Sequence, residues 1–257
     1  MTTLQVDRAE LESKVQAMYR DVAENPHGEF HFEMGRTMAE RLGYRPADLD
    51  RIPPESIDSF AGVGYYFQFL DDMQGARVLD LGSGSGMDSF IASLLTGPTG
   101  SVVGLDMTAS QRAKAEALRR RQGQANITYV RGYIDDAPFE DGSFDVVISN
   151  GVINLAADKP QVFREIARLL RPGGRLAIAD IVTDVELPAT ISCNTTLWAA
   201  CIGGAWQVEQ YKQAIEHAGL RIVAEQVNDQ YHFLSDNAQG ATRKFGVKSI
   251  SLRADKT

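Results

Sequence analysis

The sequence predicts an α/β fold: a mostly parallel sheet with helices on both faces, preceded by a helical segment. Three observations predict it. From Arg77 onward, short apolar runs alternate with helix-length stretches. A glycine-rich turn joins the first such run to the first such stretch, and residues 1–72 carry helical spacing of their own. Strand and helix in alternation imply βαβ units with right-handed crossovers.

Leu11, Val15 and Met18 are spaced like one face of a helix, and Met34, Met38 and Leu42 like another, with Gly43 as its stop signal. Pro46, Pro53 and Pro54 punctuate the next stretch, and Phe60-Ala-Gly-Val-Gly-Tyr-Tyr-Phe67 closes this region. We expect 1–72 to form a helical lid and 73–257 the core. In the core, Arg77–Leu81 reads as a strand, Met87–Leu95 as a helix, Ser101–Asp106 as a strand and Thr108–Gln122 as a helix. Strands are expected at Ile127–Arg131, Phe144–Ser149 and Arg175–Ile181, and a helix over Lys159–Leu170 stops at Pro172-Gly-Gly174. A helix over Val208–Ala218 and strands at Leu220–Val227 and Gly246–Leu252 complete the pattern. Thr183–Trp206 and Asn228–Lys244 break the rhythm; the first reads as an insertion over the active-site crevice.

Composition narrows the function. The 257 residues carry 26 Lys and Arg against 34 Asp and Glu, a formal net charge of −8, which argues against nucleic acid as partner. The one basic cluster, Arg112, Lys114 and Arg119 to Arg121, reads as a solvated helix face. No run of eighteen apolar residues predicts a membrane span, and Met1–Glu10 does not read as a secretory signal. Two cysteines, Cys193 and Cys201, make no disulfide framework, so a cytoplasmic setting is expected.

Asp80-Leu-Gly82-Ser83-Gly84-Ser-Gly86 sits at the first strand-to-helix turn, where ligands of open α/β sheets bind. Its glycines let the backbone turn sharply and approach a ligand closely. A dinucleotide fingerprint would read G-x-G-x-x-G; here the spacing is G-x-G-x-G with an acid just before it. Asp80 suits an ammonium by charge-assisted hydrogen bonding and would repel a pyrophosphate. S-adenosylmethionine offers such an ammonium and no phosphate. Asp106, ending the second strand, can accept ribose hydroxyls in either cofactor, or sit as a carboxylate favoured by the helix dipole.

Taken in order, Val78–Gly86, Val103-Gly-Leu-Asp106, Ser143–Ser149 and Leu170-Arg-Pro-Gly-Gly174 resemble the successive motifs of class I S-adenosylmethionine-dependent methyltransferases. The resemblance implies a Rossmann-like seven-stranded sheet with an antiparallel last strand. It also implies Asp80 and Gly82 at the methionine end, Asp106 on the ribose, Met107 against the adenine and Asn150 on the crevice floor. Where many members read Gly-Asp-Ala after the third strand, this chain reads Gly132-Tyr-Ile-Asp135, and Ile134 offers its backbone amide. S-adenosylhomocysteine would be the product.

Ile148-Ser-Asn-Gly151-Val-Ile-Asn154-Leu155 and Leu197-Trp198-Ala-Ala-Cys201-Ile-Gly-Gly-Ala205 are similar to segments of arsenite methyltransferases. Those enzymes hold trivalent arsenic with three cysteines; this chain keeps Cys201, with Val63 and Gly151 in the other two places. Cys193 does not make up the difference: eight residues along one helix separate it from Cys201 by about 12 Å of rise, too far to share one centre. An organic acceptor, a thiol or phenol, fits better, in an enclosure of Tyr65, Tyr66, Phe67, Trp198 and Trp206. Such an acceptor calls for a general base, with His31 as candidate, or for none. The expected partner is a small-molecule acceptor, without nucleic acid, membrane or resident metal; a homodimer is compatible with the sequence. Arsenite as acceptor, a cofactor-binding module without catalysis, and a nicotinamide oxidoreductase stay open as rivals.

Overall fold

The computed structural model describes residues 7–30, 32–192, 198, 202–234 and 236–257. The strands are β1 (Arg77–Leu81), β2 (Ser101–Asp106), β3 (Ile127–Arg131), β4 (Phe144–Asn150), β5 (Leu170–Thr183), β6 (Trp206–Gln207), β7 (Leu220–Val227) and β8 (Lys248–Lys256). Seven of them form a path in the order β3-β2-β1-β4-β5-β8-β7, and the two-residue β6 pairs with β5 at Val182 and Thr183. β8 runs antiparallel to both neighbours. The pairs among β1 to β5 are parallel. Because β2 and β3 extend the sheet on one side of β1 and β4 on the other, a crevice opens at the carboxyl ends of β1 and β4.

Side chains alternate across the sheet with period two, so each strand feeds two cores. Val78, Val146, Ile148, Ala177 and Ile181 enter one core with α5 (Met87–Thr96) and α6 (Ala109–Gln122), which come after the helices α1 (Arg8–Glu24), α2 (Arg36–Leu42), α3 (Pro46–Leu49) and α4 (Pro54–Asp58). Leu79, Leu81, Val147, Leu176 and Ile178 enter the other with α7 (Lys159–Leu169) and, beyond the short α8 (Ala189–Ser192), α9 (Val208–His217). A last helix, α10 (Asp236–Phe245), precedes β8. No helix among the described residues is long and apolar enough to cross a membrane.

Local chemistry sets the helix ends. Asp7 and Asp158 cap α1 and α7 by accepting the backbone N–H of Glu10 and Gln161. Gly43, at φ 116°, ends α2. That helix starts at Arg36, so Met34 lies outside the turn expected to hold it. Pro46 and Pro54 open α3 and α4 in the first helical turn, where a missing N–H costs nothing.

Three expectations are corrected. The last strand is not Gly246–Leu252 but Lys248–Lys256: Ala254 is buried, and Arg253 pairs with Asp255 at 2.8 Å while donating to the Phe69 carbonyl. The charged tail stays in the ladder because its charges are matched. β5 begins at Leu170, running through Pro172-Gly-Gly174, and a register shift opposite Phe144–Val146 absorbs the extra residues. The basic cluster of α6 is a solvated face only at Arg120 and Arg121, and even these are ion-paired. Lys114 Nζ donates to the Ala23 carbonyl and to Ser59 Oγ, Arg121 pairs with Glu55, and Arg119 and Arg120 share Glu116. The helix thus docks α1 and α4, and Lys114 satisfies a carbonyl left open at the end of α1.

Gly86, the residue before α5, adopts φ 92°, and a Cβ there would collide with the Tyr129 hydroxyl. Gly86→Ala should therefore destabilise the fold by roughly 1–3 kcal/mol from backbone strain alone, read as a lowered urea midpoint with unchanged slope.

Candidate functional site

The turn after β1 is bent onto the end of β2. Gly82 and Ser83 both donate their N–H to the Leu105 carbonyl, at 2.8 and 3.1 Å, and Gly84 donates to Asp106 Oδ2 at 2.9 Å. Gly82 and Gly84 take φ 72° and 53°, and a Cβ on Gly82 would press on Val152 from the turn after β4. This brings the ends of β1, β2 and β4 around one cavity.

Asp80, Gly82, Ser83, Gly84, Asp106, Met107, Ile134 and Asn150 all line that cavity. One side is closed by α1 through Arg8, Leu11, Glu12, Val15 and Tyr19, another by Ser59 to Gly62, and a further wall by Val152 and Leu155 to Ala157. At the rim, Arg8 pairs with Glu12 at 2.6 Å and with Asp135 at 2.9 Å, tying α1 to the loop after β3.

The electrostatics ask for a cation. Asp80 is buried, and Ser89 Oγ donates to it at 2.6 Å. Burial and then the neighbouring Asp88 hold its carboxyl well above the usual carboxylate range. Asp88 also lines the cavity and is pushed up by burial, against hydrogen bonds from Tyr44, Asn150 and Tyr66. Asp106 is raised by burial, opposed by the amides of Thr108 and Gly84, so its dipole-favoured contact and an open lone pair coexist. Arg8, already paired twice, is the one cation among the described lining residues. Buried carboxylates without a counter-ion are costly, and an ammonium or sulfonium would relieve that cost.

Several expected site residues lie elsewhere. Gly86 packs under Tyr129 rather than lining the cavity. Asn150 reaches the cavity, but its carboxamide is fully engaged. Its Oδ1 accepts from Val63 N at 2.7 Å and Gly64 N at 3.3 Å, and its Nδ2 donates to Asp88, the Gly64 carbonyl and Tyr44 Oη. It clamps the N-terminal segment to the end of β4. Tyr65 stacks edge-on against Tyr44, 4.9 Å between centroids. Gly151 faces Val63, and Asn154 is buried with its N–H on Asp180 Oδ2. Trp198 and Trp206 face Lys159 instead of the cavity, at 5.0 and 5.3 Å. His31, Cys193 and Cys201 lie outside the described residues.

The residue that sequence reading missed is Asp88. Tyr44 Oη and Tyr66 Oη donate to it at 2.6 and 2.7 Å, yet all that the sequence displays is an acid in a helix's first turn. Its partners arrive from 44, 22 and 62 residues away.

A buried acid for an ammonium, an acid with open lone pairs for hydroxyls, and no phosphate cradle fit S-adenosylmethionine; a pyrophosphate would meet Asp80 and Asp88. The comparison with known proteins agrees. Residues 72–219 match the family described as methyltransferase domain. The chain belongs to that family. It is 42% identical over 188 residues to an arsenite methyltransferase of Aquipseudomonas alcaligenes, covering 69% of this chain and 54% of the relative. To one of Halobacterium salinarum it is 37% identical over 199 residues, covering 77% and 51%. It therefore spans about half the length of the curated relatives it matches. The crystal structure of an arsenic(III) S-adenosylmethionine methyltransferase from Chlamydomonas reinhardtii superposes with TM-score 0.65 at 29% identity, covering 87% of this chain and 74% of that one.

In this chain the Asn150 carboxamide joins the N-terminal segment to the sheet. Asn150→Ala should cost about 1–3 kcal/mol per buried group left unsatisfied, measured by urea unfolding, with the N-terminal segment gaining amide exchange first.

Proposed function

We propose that this chain transfers a methyl group from S-adenosylmethionine to a small-molecule acceptor inside a cavity covered by its N-terminal segment. The observation that carries the reading is the meeting of Asp80, Asp106 and the glycine turn around one acid-lined cavity at the β1/β4 crevice. Bound S-adenosylmethionine would supply an electrophilic methyl group on its sulfonium. Asp80 would hold the ammonium. Asp106, its rotamer fixed by the Gly84 and Thr108 amides, would accept the ribose hydroxyls, and Met107 and Ile134 would flank the adenine. Leu11, Val15 and Tyr19 on α1 would exclude water, so that residues 1–72 act as a lid on a 73–257 core. Alignment of acceptor and methyl in such a cavity supplies up to about 7–11 kcal/mol of the acceleration.

The described cavity lining holds no histidine, cysteine or lysine. A base at the wall would therefore be a carboxylate such as Asp88 or Glu12; His31 is the candidate base for a phenol or thiol. A cytoplasmic setting belongs to the same reading.

Arsenite is the second reading, favoured by the names of the relatives. Positions 63 and 151 do adjoin: a Cβ on Gly151 would lie 3.3 Å from Val63 Cγ1. Valine and glycine give a thiophilic centre no ligand, which supports an organic acceptor instead. A melting temperature raised by arsenite in the wild type and unchanged in Cys201→Ser would favour the metalloid.

Calorimetric titration with S-adenosylhomocysteine and, separately, NADH tests the cofactor. We expect the first alone to bind; binding of NADH alone would overturn the reading. Asp106→Ala should weaken S-adenosylhomocysteine by roughly 1.5–3 kcal/mol, the range for hydrogen bonds to a charged group.

A further inference from the structure

Lys159, the first residue of α7, is wholly buried. Its Nζ donates to the Ala156 carbonyl at 2.9 Å and lies 5.0 Å from the ring centroid of Trp198 and 5.3 Å from that of Trp206. These are the only two tryptophans in the chain. Asp180, whose charge acts on Lys159, accepts from Asn154 N, Tyr211 Oη and Ile181 N at 2.9, 2.9 and 2.8 Å. Trp198 Nε1 in turn donates to the Asn154 carbonyl at 2.7 Å. Gly204 is packed so closely on this contact that a Cβ would strike both Asn154 O and the indole nitrogen.

A buried ammonium is an expensive way to fill space, because an apolar side chain of the same volume would cost no desolvation. Here burial pushes Lys159 down and Asp180 up, each charge opposing the shift of the other. What the ammonium adds over an apolar residue is direction. It binds two indole faces and a carbonyl at once. Those groups belong to two separate stretches. The indoles come from the segment between β5 and α9. The carbonyls of Asn154 and Ala156 come from the turn after β4, where Leu155, Ala156 and Ala157 form a wall of the cavity.

We propose that Lys159 is a positioning residue: caged by Trp198 and Trp206, it fastens the 153–157 wall of the cofactor cavity to the segment that carries the tryptophans. The inference rests on the cofactor reading above, since the ligand that the wall would contact is S-adenosylmethionine or its product. It has an optical consequence. Filling the cavity loads the wall, and the indoles on the far side of the cage register the change.

The test is a titration of the full chain with S-adenosylhomocysteine, monitored by calorimetry and by tryptophan emission, in the wild type, Lys159→Arg, Lys159→Met and Trp206→Phe. The wild type should bind and shift or quench its emission. Lys159→Met, folded by circular dichroism, should bind at least tenfold more weakly and lose the emission response. Lys159→Arg, which keeps a cation between the rings, should recover both to within about threefold, a rescue that mere filling of volume does not predict. Trp206→Phe keeps a ring over the ammonium and leaves Trp198 as sole reporter. It should bind within about threefold of the wild type and keep a response, and it carries the test should Lys159→Met fail to fold. Equal affinity and equal response in Lys159→Met and the wild type would overturn the inference alone, as would a Trp206→Phe chain that binds while Trp198 stays silent. A wild-type chain that does not bind would overturn the cofactor reading and this one with it.

Discussion

The carboxamide of Asn150 uses its two ends for different partners, and the site depends on it. Its oxygen takes the amides of Val63 and Gly64, while its nitrogen reaches Asp88, which also gathers the hydroxyls of Tyr44 and Tyr66. One strand end, one helix and two stretches of the N-terminal segment are thereby held in a single buried knot. Such a network is worth having only when each member is satisfied, because an unpaired polar group at that depth is costly. The knot sets how closely the N-terminal segment approaches the glycine turn, and so the shape of the cavity between them.

The sheet separates two kinds of buried acid. Asp80 shares its strand face with Val78 and points toward α5, where Ser89 is its hydrogen-bond donor. Asp180 lies on the face of Ile178 and Val182, among α7 and α9, where donors and the Lys159 ammonium surround it. The period of two that sorts apolar residues also sorts these carboxylates. The one beside the cavity has Ser89 as its donor and, among the described residues, no cation from the core; the other is answered by three donors and an ammonium.

Much of the fold was legible because it rests on local pattern. β1, β2, β3 and β7 begin and end where the apolar runs do, and Asp80 and Asp106 were placed by their position at strand ends. The end of β8 was not legible, since Arg253 and Asp255 look like solvent until their mutual pairing is seen. Nor was the fate of Trp198 and Trp206: aromatic residues near a crevice suggest a ligand enclosure, and nothing in their own segment points to a lysine some forty residues earlier. Asn150 lies at the crevice, and the partners of its amide, residues 44 to 88, are ones that no spacing rule connects to it. Local period reports elements; hydrogen bonds across long sequence separations decide which side chains remain free.

The way α1 is attached has a kinetic meaning. Its carboxyl-terminal half is secured through backbone carbonyls: Gln111 holds Tyr19, Ser59 holds Val22 and Lys114 holds Ala23. Its first turn is tied to the opposite rim by Arg8 and Asp135, and the arginine side chain of that pair is 54% exposed. An ion pair so open to water contributes about 0–1 kcal/mol and weakens as ionic strength rises. The mouth of the cavity thus stands behind a capped helix end whose outermost tie is one that salt loosens. Terminus motions fall in the nanosecond-to-microsecond range, so a first turn released from that tie would impose little delay on a molecule entering or leaving.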